Sequence, residues 1–195
     1  MNELIFASNN EYKLKEVRSI LKGRSVKSLA DVGIAEDITE TGNTLEDNAF
    51  IKAKLVYEKT GSDCFADDTG LFVEALGGAP GVFSARFAGK RCTAVDNIIK
   101  LLRLMDNQVK RKAKFKTVIC LLQNGDKKFF EGVIYGTISN EPRGENGFGY
   151  DPVFIPYGLN KTLAELTLEE KNSLSHRALA VFQMRKYFEA TTKKS

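Results

Sequence analysis

Short apolar runs alternate with stretches of helical periodicity along this chain, and that alternation restricts the fold to the α/β class. Glu3-Leu4-Ile5-Phe6-Ala7 is an apolar run of strand length. A polar turn, Ser8-Asn9-Asn10, separates it from Leu14, Val17 and Leu21 at helical spacing. Residues 26–42 predict a strand and a loop around Gly33 and Gly42. Thr44 and Asp47 have capping-box spacing, and Leu45, Ala49, Ala53, Val56 and Tyr57 then line one helical face. A strand at 64–66 runs into Asp67-Asp68, with a turn expected at Thr69-Gly70 and a glycine loop over 77–89. Thr93 caps a further helix with Val95, Ile98, Leu102 and Met105 on one side. Strands at 115–123 and 128–135 flank Asn124-Gly125-Asp126, a hairpin signal that makes the sheet mixed. A helical turn over Thr167–Lys171 and a helix over Ser175–Glu189 end the pattern, the latter with Ala178, Val181, Phe182 and Phe188 inward. No repeat or low-complexity linker divides residues 1–195, which are read as one domain.

Composition narrows the function. A hydrophobic content of 43% excludes a disordered chain. The net charge of +4 is spread without a basic stripe of interleaved aromatics, which argues against a nucleic-acid partner. No apolar stretch reaches transmembrane length, and the N-terminal run is too short for a secretory signal. Cys64, Cys92 and Cys120 are odd in number and widely spaced, so neither a disulfide framework nor a zinc site is expected. A cytoplasmic protein with no membrane partner is the expectation.

Four stretches carry candidate chemistry. Ser8-Asn9-Asn10-Glu11-Tyr12-Lys13 opens a helix, where backbone N–H groups and Lys13 suit a phosphate; read alone, it is more simply an Asx turn with an N-cap. Glu40 precedes the helix bearing Lys52, which alone reads as an amphipathic helix with lysines reaching water. Asp67-Asp68 follows an apolar strand, where a carboxylate pair suits Mg²⁺ better than it suits a solvated turn. Gly144-Glu145-Asn146-Gly147-Phe148-Gly149-Tyr150-Asp151-Pro152 allows close backbone approach and offers Phe148 as a stacking face. Lys171 and Ser175-His176-Arg177 follow; a lone histidine at a helix start is most simply a solvated residue, and beside an arginine it also suits an anion or a base carbonyl.

In this order the segments FASNNEYKLKEVRSIL, ETGNTLEDNAFIKA, FADDTGLFVEALGGAPGVFSARFAG, GENGFGYDPVF and LTLEEKNSLSHRALA resemble the RdgB/ITPase family, the inosine/xanthosine triphosphate pyrophosphatases. They span nearly the whole chain. The resemblance implies an elongated α/β fold of two lobes around a long central mixed sheet, with the active site in the cleft between them. It implies a homodimer that uses Mg²⁺ to hydrolyse ITP, dITP and XTP to the monophosphate and pyrophosphate, keeping deaminated purines out of DNA and RNA.

Carried over by position, the resemblance gives Ser8, Asn9, Asn10, Glu11, Tyr12 and Lys13 to the triphosphate, and makes Asp68 the general base. By the same resemblance, Glu40 and Asp68 would hold the metal, and Thr69 would touch the substrate where many relatives have serine. Phe148, Gly149, Tyr150, Asp151, Lys171, His176 and Arg177 would bind nucleoside and phosphate. Asp47 stands where the family more often has glutamate and is left out of the metal set; the roles of Lys52 and Arg86 stay open. The chemistry is consistent: a triphosphate brings about four negative charges, which Mg²⁺, Lys13, Lys52, Lys171 and Arg177 offset. Donors from His176, Arg177 or the backbone near Phe148 would pair with a 6-oxo purine and be stranded by adenine. Two rivals remain, a pyrophosphohydrolase with another base preference and a non-catalytic nucleotide binder.

Overall fold

The computed structural model describes residues 3–35 and 38–192; Glu36 and Asp37, within the strand and loop expected over 26–42, lie outside the described residues. The elements are β1 (Leu4–Phe6), α1 (Glu11–Ile20), β2 (Val26–Lys27), α2 (Leu45–Thr60), β3 (Cys64–Val73), β4 (Pro80–Gly81), α3 (Ala94–Leu104), β5 (Lys112–Gln123), β6 (Asp126–Ile138), β7 (Phe154–Pro156), α4 (Leu168–Leu174) and α5 (His176–Thr192). Among the described residues, seven strands form one sheet in the order β2-β1-β3-β5-β6-β7, with β4 on β3. β1 runs parallel to β2 and β3, while β3–β4 and β6–β7 are antiparallel, so the sheet is mixed as expected.

The chain divides into two compact units. The first takes Met1–Asp68, Thr117–Gly132 and His176–Ser195. Its strands alternate strictly. Leu4, Phe6, Phe65, Ile119 and Leu121 face one way and pack against α1 (Leu14, Val17, Ile20) and α5 (Ala178, Val181, Met184, Phe188). Ile5, Ala7, Cys64, Ala66, Cys120 and Leu122 face the other way, against Ala49, Ala53 and Val56 of α2. A strand turns successive side chains to opposite faces, so this parity carries into the residues that follow. Cys64 and Cys120 pack here as small hydrophobes, and burial pushes both thiols up to about 12.

The second unit takes Thr69–Lys116 and Val133–Ser175. Leu71, Val73, Ile98, Leu101, Phe115, Ile134, Val153, Phe154 and Leu163 build its core. Two expectations change here. No turn occurs at Thr69-Gly70, because β3 continues to Val73. Gly70 is small for another reason: a Cβ there would lie 2.7 Å from the Gly81 carbonyl of β4. Val95 does not join the inward face of α3 and is 62% exposed. Asn97 points inward instead, accepting from the Ala88 N–H and donating to the Ala85 carbonyl, which sets the rotation of the first turn. The hairpin forms with a two-residue turn, Asn124 and Gly125 both at positive φ, and its strands extend beyond the expected limits. Among the described residues no helix is long and apolar enough to cross a membrane.

Candidate active site

Asp67 shares the parity of Phe65 and so turns toward α1 and α5. Lys13 of α1 meets its Oδ1 at 2.8 Å, and Arg177 of α5 donates from Nε to Oδ2 at 2.9 Å. Arg177 also donates from Nη1 to Glu16 Oε2 at 2.6 Å. Glu16, Asp67 and Arg177 are all buried, at 3%, 2% and 1% exposure. Burial opposes the charge on Asp67, but Lys13, Arg177 and Lys52 outweigh it and hold the carboxyl well below the usual carboxylate range. Burial likewise opposes the Arg177 charge, and Asp67 and Glu16 reverse that and raise it. Lys13 goes the other way: burial, helped by Lys52 and Arg177, lowers it despite Asp67.

Asp68 shares the parity of Cys64 and Ala66 and turns toward α2. Asn48 Nδ2 donates to its Oδ2 at 3.0 Å. The Lys52 ammonium lies 3.7 Å from Asp68 Oδ1 and 2.5 Å from Glu40 Oε1. Lys52 is buried, not drawn out to water as the isolated helix suggested, because two carboxylates wait for it inside. Burial lowers its affinity for the proton, while Asp68 and Glu40 outweigh that and raise it. Asp68 is raised by burial and by the Glu40 charge, against the pull of Lys52.

A cation therefore already stands between Glu40 and Asp68, in a setting of hard oxygen donors. Among the described residues no group of three or more His, Cys, Asp or Glu converges on one point. Two carboxylates suffice for Mg²⁺, which usually keeps several waters and takes phosphate oxygens as well. The residues present fit that ion. Asp47 is exposed, and its N–H is taken by the Thr44 hydroxyl, the forward half of the expected capping box.

The turn before α1 is internally bonded. The Asn10 side chain accepts from the Lys13 N–H, Ser8 Oγ accepts from the Asn10 N–H, and Asn9 Oδ1 accepts from the Ala30 N–H. The Asx-turn reading thus holds for the side chains. Glu11 and Tyr12 are exposed, and Lys13 is the member of the stretch that reaches the Asp67 cluster.

In the second unit, Asp151 Oδ2 accepts from Lys171 Nζ at 2.5 Å and from the Phe148 N–H at 2.8 Å. Both charged side chains are buried. The Lys171 ammonium lies 5.0 Å from the centre of the half-buried Phe148 ring. Gly147 has φ +76, and a Cβ on it would collide with the Asp151 carboxylate, so the loop closes on Asp151 only with glycine there. Tyr150, expected at the substrate, is 5% exposed and donates its hydroxyl to the Ser84 carbonyl, bracing the loop from within. Gly149 and Thr69 are half-buried, and His176, at the start of α5 in the first unit, is buried, not solvated. The Arg86 guanidinium lies over the Phe83 ring at 5.2 Å.

Glu16 and Asn48 were not singled out from the sequence. Glu16 lies three residues after Lys13, among inward-facing Leu14 and Val17, so a charge on the apolar face of α1 was the available signal. Asn48 adjoins Ala49 on the buried face of α2 and could have been noticed in the same way.

The sequence pattern of the Ham1 family matches residues 4–187. A dITP/XTP pyrophosphatase of Thermoanaerobacter pseudethanolicus is 52% identical over 189 residues, covering 95% of this chain and 96% of its own length. A protein of the same name from Porphyromonas gingivalis is 53% identical, covering 96% of this chain and 97% of its own. The solved structure of a HAM1 protein from Coxiella burnetii superimposes with a TM-score of 0.89 at 40% identity, over 97% of this chain and all of that one. The resemblance carried by the five sequence segments is thereby borne out, and the chain belongs to the Ham1 family.

Proposed function

We propose that this protein is a Mg²⁺-dependent nucleoside triphosphate pyrophosphohydrolase that splits ITP, dITP and XTP into the monophosphate and pyrophosphate. One observation carries the reading: Asp67 is held between Lys13 and Arg177, while its neighbour Asp68 faces Glu40 across a cation position. Relatives named dITP/XTP pyrophosphatase at about half identity support the substrate class.

Glu40 and Asp68 would hold the magnesium, which when bound supplies charge neutralisation and a more acidic water. Asp68 takes the proton of the attacking water, a task that suits a carboxylate whose proton affinity is raised by burial. Lys13 and Lys52 neutralise phosphate charge, and Lys171 and Asp151 hold the loop that presents Phe148 to the base. Arg177 fixes Asp67; with its guanidinium on Asp67 and Glu16, base reading rests more on the backbone beside Phe148 and Gly149. As in the resemblance, we take the enzyme to work as a homodimer on the cytoplasmic nucleotide pool, and light scattering checks the oligomer.

The decisive experiment is pyrophosphate release from ITP, XTP, dITP, GTP, ATP and UTP, with Mg²⁺ and with EDTA, beside an Asp68→Asn control. Release from ITP, dITP and XTP well above ATP, lost in EDTA and in the variant, is expected. Equal rates on all bases overturn the substrate assignment, and an active Asp68→Asn protein overturns the role of Asp68.

A further inference from the structure

Asn48 is fully buried, and both ends of its amide are engaged. Nδ2 donates to Asp68 Oδ2 at 3.0 Å, and Oδ1 accepts from the Gly42 N–H at 2.8 Å. A carboxylate on one side and an N–H on the other admit only one orientation of the amide. Gly42 lies two residues beyond Glu40, so Asn48 joins the strand that carries one carboxylate to the loop that carries the other. The loop is closed tightly on α2: a Cβ on Gly42 would lie 2.8 Å from Asn48 Oδ1 and 2.5 Å from the Asp47 Cβ. Asn48 is also one helical turn before Lys52, so a single face of α2 presents both the amide and the ammonium.

We propose that Asn48 is a positioning residue whose amide, latched to Gly42, sets where Glu40 and Asp68 stand for the divalent cation of the proposed reaction. The inference rests on that reading. Glu40 comes from a loop, and a ligand on a loop needs outside support to keep its place. Groups that orient metal ligands are worth 10–100-fold in affinity as a rule. An asparagine needed only for packing would influence folding and leave cation affinity alone.

The test uses the full chain with Asn48→Ala and, separately, Gly42→Ala, which keeps the N–H but whose Cβ clashes with Asn48 Oδ1 and the Asp47 Cβ and so pushes the loop off the amide. Mn²⁺ is titrated by calorimetry without nucleotide, thermal unfolding is followed in parallel, and kcat and KM are measured with ITP. We expect the Mn²⁺ dissociation constant to rise about tenfold or more in both variants. We expect kcat to fall by a similar factor while KM for ITP changes by less than about threefold. Unchanged Mn²⁺ affinity in a folded variant overturns the proposal. If Asn48→Ala does not fold, Gly42→Ala decides. A wild-type protein that releases no pyrophosphate defeats the functional reading instead, and the Mn²⁺ titration still decides the role of Asn48.

Discussion

Asp67 and Asp68 are adjacent in the chain, yet they answer to different helices: Asp67 to Lys13 of α1 and Arg177 of α5, Asp68 to Asn48 and Lys52 of α2. Strand alternation separates two anions that a turn would have left side by side. It also separates their partners: Asp67 is held between Lys13 and Arg177, and Asp68 lies with Asn48 and Lys52 on the Glu40 side.

Asp67→Asn and Asp68→Asn should therefore fail in opposite ways. The first strips a buried partner from Lys13 and Arg177 and should cost roughly 3–5 kcal/mol of stability. The second should fold and lose most turnover. Urea unfolding beside pyrophosphate release separates them; equal stability of the two variants would contradict the division.

Acid should act through Asp67. Its native carboxyl holds a proton less tightly than in the unfolded chain, so its contribution is present above the ordinary carboxylate value and fades as pH falls toward the depressed native one. Asp68 has the opposite sign: its raised value costs stability as pH climbs above the ordinary carboxylate value. Unfolding midpoints between pH 2 and 7 should show a shallower acid loss in Asp67→Asn than in the wild type. A parallel curve would remove Asp67 from the account.

Lys52→Met leaves Glu40 and Asp68 facing each other without a cation. In EDTA the variant should be less stable than the wild type by roughly 3 kcal/mol. Added Mg²⁺ or Mn²⁺ should restore more stability to the variant than to the wild type, since a bound cation stabilises by mass action. A difference that ignores the divalent ion would show that Lys52 does not occupy the cation position.

Phe148→Ala should raise KM for ITP about tenfold or more, the worth of one base stacked on an aromatic ring. Tyr150→Phe is the matching control. It removes the hydroxyl bond to Ser84 and should cost about 1 kcal/mol of stability, with KM near the wild-type value. Steady-state kinetics and thermal unfolding of the pair check both.

The sequence by itself determined the α/β class, the hairpin at Asn124-Gly125, the helix caps at Asn10, Thr44 and Thr93, and the family. These rest on local periodicity, on turn residues whose dihedral needs are intrinsic, and on short motifs in a fixed order. Only the tertiary structure decided what the charges do. Lys52 read alone suits a surface lysine, and nothing local marks Arg177 or Tyr150 as buried, because a charge or hydroxyl has no visible partner until distant segments meet. Arg177 finds Asp67 across 110 positions of sequence and Glu16 across 161. Gly70 shows the same limit for backbone: its neighbours suggested a turn, whereas the close approach of β4 is what requires glycine there. Burial without a partner would be prohibitively costly for these groups, so folding pairs them, and the pairing assigns each its part.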